Sequence, residues 1–296
     1  MDNELQDVFD ASVERGINFF DTAEVYGFGR SELLCGKFKR KFRGPDVLKS
    51  DIVLASKFAP LPFRLSRENV VDACKSSLDR MGMSSMELYQ IHWPAPIRNE
   101  AYWEGIADCY EQGLIKAVGV SNYSAKLVRS AHECLAKRGV PLASNQVLYN
   151  LKDRKIESNG VLKTCQELDV KVLAYSPLAQ GLLTGKYSES NLPSGPRSRL
   201  FRRSISRSVQ LLDELSEVAE ARGKTQAQVA LNWAISKGTI PIPGAKNTRQ
   251  AEENAGALGW RLTDEEMVAL DLASRETQEK SGRSLPSIPF FSSKEE

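Results

Sequence analysis

Short apolar segments alternate along this chain with amphipathic segments, and this alternation constrains the fold more than any other feature. The apolar segments are rich in β-branched and aromatic residues, which favours strands. They begin roughly 25 to 35 residues apart, the length of a βαβ unit, except for a last interval about twice as long. Strands are predicted at residues 17–21, 51–57, 86–92, 116–121, 141–146, 171–176 and 238–243.

The segments between these strands carry the start and stop signals of helices. Several end at a glycine, as at Gly16, Gly82 and Gly139. The patterns T-x-x-Q at Thr225 and T-x-x-E at Thr263 are capping boxes, in which the first and fourth residues satisfy each other's backbone N–H groups. Helices are therefore predicted to cover a sheet of parallel strands.

Seven strands, each followed by a helix, predict a (β/α)8 barrel rather than an open doubly wound sheet. We expect residues 1–296 to form one domain. Because a barrel of this type closes with eight strands, one more should precede the helix that begins near Asn3. We therefore expect the first strand of the barrel to be missing, in preference to an unusual closure.

The charge and cysteine content exclude several classes of protein. The chain has 40 basic and 38 acidic residues and a net charge of +2, which argues against a general nucleic-acid or membrane-surface binder. Its five cysteines are odd in number and never form C-x-x-C, so neither disulfides nor a metal site is predicted. No apolar run is long enough for a membrane span, and the acidic start, MDNELQ, resembles no leader peptide. A cytoplasmic location is predicted, with the chloroplast as the alternative if an N-terminal segment has been lost.

Four side chains with complementary chemistry follow the first three predicted strands. Asp21, Lys57 and His92 end these strands, where a barrel carries its reactive groups, and Tyr26 lies in the loop after the first. Taken singly, Asp21 is as easily a turn cap and Lys57 a solvated rim charge. Their coincidence on three neighbouring strands favours a functional set.

The four groups suit a general acid directed at a carbonyl. A lysine ammonium beside a phenol stabilises the phenolate and is expected to lower the pKa of Tyr26. A carboxylate paired to Lys57 keeps the ammonium charged, and a neutral imidazole can hydrogen-bond a carbonyl oxygen.

Seven segments in order resemble the aldo-keto reductase superfamily over nearly the whole chain: NFFDTAEVYG, LASKF, LYQIHWP, KAVGVSNYS, SNQVLYN, LAYSPLAQGLLTGKY and IPIPGAKNTRQAEENAGAL. The phrases KFAPLPFR, LPSGPRSRLFRR and GALGWRLTDEE are similar to plant plastid-type members, among them pyridoxal reductases. The chain departs from the family pattern at its N-terminus, where the strand before the first helix is not found.

The resemblance implies that NADPH supplies hydride and that Tyr26 donates the proton, with Asp21 and Lys57 as its supporting pair and His92 orienting the carbonyl. It also implies a set of cofactor-binding residues. These are Ser121, Asn122 and Gln146 for the nicotinamide carboxamide, Tyr175 for its ring, Ser176, Leu178, Gln180, Gly181 and Leu182 for the pyrophosphate, and Gly244, Lys246, Gln250, Glu253 and Asn254 for the adenosine end. Lys246 would face the 2′-phosphate.

The substrate is expected to be a small carbonyl compound, and the protein a monomer or weak oligomer. Phe58, Trp93 and Phe28 would give the pocket an aromatic mouth, and pyridoxal is a candidate by resemblance alone. The basic segment 197–207 is interpreted either as a solvated loop or as a clamp over the cofactor phosphates. Two alternatives to a reductase stay open: a nicotinamide-binding regulatory or scaffold subunit with little turnover, and an inactive truncated reductase.

Overall fold

All seven predicted strands are confirmed in a computed structural model of the chain, which describes residues 2–95, 98–188, 190–194 and 197–281. The strands are β1 Phe19–Asp21, β2 Val53–Phe58, β3 Leu88–Ile91, β4 Val118–Ser121, β5 Leu142–Leu148, β6 Lys171–Tyr175 and β7 Ile240–Ile242. Neighbouring strands follow the sequence order, and the first four neighbouring pairs are parallel. Sequential parallel strands joined by helices are the pattern of a (β/α)8 barrel.

Helices occupy the segments between the strands. They are α1 Asp2–Glu14, α2 Arg30–Arg40, α3 Asp46–Ser50, α4 Arg67–Met81, α5 Asn99–Glu111, α6 Ala125–Ala136, α7 Lys155–Ser158, α8 Val161–Glu167, α9 Arg197–Arg207, α10 Val209–Arg222, α11 Gln226–Ser236, α12 Thr248–Ala255 and α13 Asp264–Ser281, with a 3₁₀ helix at Ala179–Thr184. None of those in the described ranges is both long and apolar enough to span a membrane.

The predicted capping boxes form. The Thr225 hydroxyl accepts a hydrogen bond from the Gln228 backbone N–H at 3.2 Å, and the Gln228 side chain accepts one from the Thr225 N–H at 3.0 Å. Thr263 and Glu266 make the same reciprocal pair at 3.3 and 2.8 Å. These contacts fix where α11 and α13 begin.

The basic segment 197–207 is helix α9, and the expectation of a loop there was wrong. Its Gly, Pro and Ser neighbours suggested a loop, but Phe201 and Ile205 recur at helical spacing and Ile205 is buried. Arginine is also a good helix former, so the arginines of this segment favour the helix together with the apolar pair.

The chain comprises two compact units. Among the described residues, the first contains those up to Val147 together with Ile156–Leu173, and the second contains Leu148–Lys155 and those from Ala174 to Ser281. The first unit therefore holds β1 to β4, β5 up to Val147 and the start of β6, and the second holds the last residue of β5, the end of β6, α9 to α13 and β7.

Alternation along the strands places polar groups above an apolar layer in the first unit. The buried side chains of Ala55, Leu88 and Leu173 pack together with Phe19 and Ala117. Because side chains two apart on a strand share a face, Asp21 and Lys57 lie on the same face as this layer, two residues closer to the carboxyl ends of their strands.

Candidate active site

The carboxyl ends of β1 and β2 bring Asp21 and Lys57 into contact. The Lys57 ammonium donates to an oxygen of the Asp21 carboxylate and, at 2.9 Å, to the Thr22 carbonyl oxygen. The Lys57 side chain is fully buried and that of Asp21 is 9% exposed. Burial lowers the pKa of Lys57, while the Asp21 carboxylate opposes this effect. The ion pair is therefore held in a site from which water is largely excluded.

The second oxygen of Asp21 is held by two glutamine amides. Gln90 Nε2 donates to Asp21 Oδ1 at 3.0 Å, and Gln146 Nε2 donates to the same oxygen at 2.9 Å. Gln146 Nε2 also lies 3.4 Å from Gln90 Oε1, which accepts from it. Sequence reasoning missed Gln90. Its signal is the spacing of two residues from His92, which places both side chains on one face of β3.

Tyr26 lies on the loop after β1, close to the ion pair. Lys57 Nζ is 5.1 Å from the centroid of the Tyr26 ring, and the ring meets His92 edge-on with centroids 5.6 Å apart. Tyr26 is 41% exposed as a whole residue, so the surrounding structure encloses the rest of it.

The pKa of Tyr26 is raised to about 12, by burial first and by the Asp21 carboxylate second. The expected lowering of this pKa by the lysine charge was wrong. Burial and the Asp21 carboxylate both favour the neutral phenol, whereas the Lys57 ammonium is directed at Asp21 and lies 5.1 Å from the centroid of the Tyr26 ring.

His92 follows β3 and is only 5% exposed. Burial, and then the Lys57 charge, lower the pKa of His92 to about 3, so the imidazole is neutral at physiological pH. The neighbouring Trp93 ring lies 4.7 Å from it, centroid to centroid. The expected neutral imidazole is thus present beside Tyr26.

Ser121, Asn122 and Gln146, the predicted carboxamide-binding residues, are brought together at the ends of β4 and β5. Ser121 Oγ and the Asn122 N–H both donate to the Gln146 carbonyl oxygen, at 2.8 and 2.9 Å. Asn122 Nδ2 donates to the His92 carbonyl oxygen at 3.1 Å, and the Asn122 backbone is left-handed, with φ 62°. The three residues form one hydrogen-bonded group with the backbone of His92.

Glu24 ties the Tyr26 loop to the segment after β2. Its Oε1 accepts from the Ala59 N–H and from Arg64 Nη1, both at 2.6 Å, and its Oε2 accepts from Arg64 Nη2 at 3.1 Å. A two-pronged guanidinium–carboxylate contact fixes orientation as well as distance. This contact therefore restrains the loop that carries the phenol.

The three predicted pocket residues have different surroundings. Phe58 departs from the prediction, because it is fully buried between Tyr102, at 5.2 Å between ring centroids, and the Arg64 guanidinium, at 5.0 Å. It is a core residue. Trp93 adjoins His92, and Phe28 is completely exposed with a left-handed backbone, φ 54°.

The second unit contains the residues predicted for the nicotinamide ring and the pyrophosphate. Tyr175 ends β6, and the Ser176 carbonyl oxygen accepts from Asn150 Nδ2 at 2.9 Å. Ser176, Gln180 and Gly181 have φ of 51°, 58° and 95°, so the backbone turns repeatedly through the left-handed region here. Leu178 precedes the 3₁₀ helix, and Leu182 within it is buried.

The residues predicted for the adenosine end lie just before α12 and along it. The Lys246 N–H donates to Gln250 Oε1 at 2.8 Å, and Asn254 Nδ2 donates to the Gly244 carbonyl oxygen at 3.5 Å. Glu253 pairs with Arg249 at 3.6 Å. The Lys246 side chain is exposed and lies one residue before the Asn247 cap of α12. A cation and a helix N-terminus at one place suit an anionic group.

Comparison with known proteins identifies the class to which this fold and site belong. Residues 1–275 match the aldo/keto reductase family, and the chain belongs to that family of oxidoreductases. The predicted family and the (β/α)8 fold class are thereby confirmed.

Particular relatives cover most of the chain. It is 46% identical over 285 residues to the chloroplastic pyridoxal reductase of Arabidopsis thaliana, covering 94% of this chain and 78% of that one. A glycerol dehydrogenase from Gluconobacter oxydans has a similar structure, with a TM-score of 0.82, 27% identity, and coverage of 97% of this chain and 89% of that one. An aldo-keto reductase from Klebsiella pneumoniae, solved with NADPH, gives a TM-score of 0.70, 29% identity, and coverage of 91% and 84%.

Proposed function

We propose that this protein reduces an aldehyde or ketone to the alcohol with NADPH, and that Tyr26 donates the proton. The observation that carries the proposal is the meeting of four groups in the first unit: Tyr26 lies against His92 and Lys57, and Lys57 is paired to Asp21. A proton donor, a neutral hydrogen-bonding imidazole and a fixed cation are the groups that carbonyl reduction requires.

Tyr26 remains protonated at neutral pH because its pKa is about 12. It can still protonate the product, because an alkoxide is a much stronger base than a phenolate and takes the proton as it forms. Negative charge then develops on the phenol, and the Lys57 ammonium 5.1 Å from the ring centroid stabilises it. Asp21 keeps that ammonium charged and in place.

His92 is proposed to orient the substrate. As a neutral imidazole beside the phenol, it can donate one hydrogen bond to the carbonyl oxygen without competing for the proton. Because Asn122 Nδ2 binds the His92 carbonyl oxygen, the backbone that carries the imidazole is fixed from the neighbouring strand.

The residues present fit a nicotinamide dinucleotide. Ser121, Asn122 and Gln146 offer amide and hydroxyl groups for a carboxamide, and the exposed Lys246 cation at the start of α12 suits a 2′-phosphate. When bound, NADPH supplies the hydride. The NADPH complex of the Klebsiella pneumoniae relative supports this choice of cofactor.

The proposed cofactor set is completed in the second unit. Tyr175 would stack on the nicotinamide ring, and Ser176, Leu178, Gln180, Gly181 and Leu182 would contact the pyrophosphate. Gly244, Gln250, Glu253 and Asn254 would accompany Lys246 at the adenosine end. Residues 1–296 would act as one catalytic domain, a proposal that the family match over residues 1–275 supports.

An aromatic carbonyl is the proposed substrate class. Trp93 adjoins His92, and the fully exposed Phe28 offers a further aromatic surface two residues after Tyr26. The name of the Arabidopsis thaliana relative makes pyridoxal the first carbonyl to test.

The test compares Tyr26→Phe with a matched control, Tyr110→Phe on α5. NADPH oxidation is measured with pyridoxal and a panel of aldehydes, and NADPH binding is measured by fluorescence. Tyr26→Phe is expected to lose about 100-fold or more in turnover with binding retained, because only the acidic proton is removed. The control should behave as the parent protein. Full turnover by Tyr26→Phe would disprove the role of Tyr26, and the absence of NADPH binding by the parent would disprove the cofactor.

A further inference from the structure

We propose that Gln90 is a positioning residue of this site, whose amide group holds Asp21 in the orientation that pairs it with Lys57. The inference rests on the proposed function, because it concerns the same reaction. It extends the site to a residue that acts through Asp21.

Gln90 is an amide buried in the middle of a strand. It is 0% exposed and lies in β3 between Tyr89 and Ile91, both also fully buried. Burying an amide is strongly unfavourable unless its polar atoms form hydrogen bonds. Both ends of this amide are used: Nε2 donates to Asp21 Oδ1 at 3.0 Å, and Oε1 accepts from Gln146 Nε2 at 3.4 Å.

The neighbouring strand leaves room for this side chain. Gln90 pairs in register with Gly119 on β4, and a Cβ atom added at Gly119 would lie 2.8 Å from Gln90 Cγ and closer still to Ser144 Oγ on the other side. Real Cβ atoms do not approach so closely, so any other residue at position 119 would displace Ser144 and Gln90. Gly119 has no left-handed backbone that would otherwise demand glycine. The missing side chain on β4 therefore leaves room for the glutamine on β3 as well as for Ser144 on β5.

Gln90 and Gln146 together determine how Asp21 is oriented. With Oδ1 held by two amide groups, Oδ2 is directed at the Lys57 ammonium. Gln146 alone could not fix the carboxylate as firmly, because its own amide is oriented by Gln90 Oε1. Loss of Gln90 should let Asp21 rotate away from Lys57 and weaken the stabilisation of the charge that develops on Tyr26.

The experiment compares Gln90→Met, Ser144→Ala and Tyr26→Phe in the full chain. Methionine has nearly the length of glutamine without its polar groups, so the cavity change is small. Ser144 on β5 is the matched control, because it is also buried and lies in the same layer as Gly119, and its hydroxyl has no hydrogen-bond partner among the described residues. NADPH oxidation is measured as a function of pH, and folding by circular dichroism and thermal unfolding.

Gln90→Met is expected to lower kcat about tenfold with little change in KM, as for loss of one hydrogen bond to a charged group. The basic limb of its pH profile should move to lower pH, because Lys57 then has a less well-placed counter-charge. Ser144→Ala should match the parent in both measurements. If Gln90→Met matches the parent while Tyr26→Phe is inactive, the inference is wrong and the proposed function stands.

A second variant keeps the test decisive if Gln90→Met does not fold. Gln90→Glu is isosteric, and its protonated carboxyl group can donate the same hydrogen bond to Asp21, whereas its ionised form repels that carboxylate. Its turnover relative to the parent should rise as the pH falls. A ratio that does not change with pH would overturn the positioning role.

Discussion

Lys57 and Asp21 form an ion pair in which the lysine side chain is fully buried and the aspartate side chain is 9% exposed. Such a pair is stabilising only while both partners are present, because each charge alone would be left without water or a counter-charge. Its geometry follows from the register of β1 and β2, which places Asp21 beside Ala55, two residues before Lys57.

Asp21→Asn is expected to cost about 3 kcal/mol in the free energy of unfolding, because it leaves the buried ammonium unpaired. The double variant Asp21→Asn with Lys57→Met removes both charges and should recover most of that loss. Neither variant should retain turnover, because Asp21→Asn removes the carboxylate that keeps the Lys57 ammonium charged and in place, and the double variant has no lysine at all at position 57. Urea denaturation and NADPH oxidation test the two expectations, and a double variant no more stable than Asp21→Asn would contradict the first.

The positions of Asp21, Lys57 and His92 could be predicted from sequence because parallel strands collect their carboxyl ends at one edge of a sheet. The strands themselves were recognisable from short apolar runs at regular intervals. Gln90 was missed because it lies inside a strand and not at its carboxyl end. A glutamine inside a strand has no distinctive pattern, and its partners, Asp21 and Gln146, are 69 and 56 residues away from it in the chain.

The direction of the Tyr26 pKa shift could not be predicted from residue types. Which effect dominates depends on where the Lys57 ammonium points and how much of the phenol is enclosed, and both are properties of the packed structure. The burial of the Phe58 ring could not be predicted from residue types either. It follows Lys57 in the sequence, but alternation turns its ring to the opposite face of β2, where Tyr102 and Arg64 cover it.

His92 should make the protein less stable as the pH falls below neutrality. The unfolded chain takes up a proton at this residue near its ordinary pKa of 6.5, whereas the folded chain does so only at about 3. Between these values the unfolded state binds more protons, so the free energy of unfolding falls with decreasing pH. For this one group, the loss between pH 7 and pH 5 is about 2 kcal/mol.

The comparison of the parent with His92→Gln isolates this effect, because His132 and the carboxyl groups are common to both proteins. The free energy of unfolding is measured by urea denaturation at the two pH values. The parent should lose about 2 kcal/mol more than the variant. Equal losses would mean that His92 takes up its proton in the folded state as readily as in the unfolded chain.

Arg64→Met should loosen the loop that carries Tyr26. It leaves the Glu24 carboxylate, only 10% exposed, with the Ala59 N–H but without its guanidinium. A loss of about 2 kcal/mol in stability and a fall in kcat are expected, as for a buried hydrogen-bonded charge that loses a partner. Lys171→Met is the control, because the Lys171–Asp169 pair is 62% and 89% exposed. It should change stability by less than about 0.5 kcal/mol.

Lys246→Ser should weaken NADPH binding selectively. If the exposed Lys246 ammonium contacts the 2′-phosphate, its loss removes one charge-assisted hydrogen bond that NADH, which lacks that phosphate, never makes. The dissociation constant for NADPH should rise about tenfold while that for NADH changes little. Lys163→Ser on α8 makes the same change in net charge at a side chain that is 80% exposed, and it should affect neither cofactor. Equal weakening of NADPH and NADH by Lys246→Ser would show that this lysine does not distinguish them, because only a contact to the 2′-phosphate separates the two affinities.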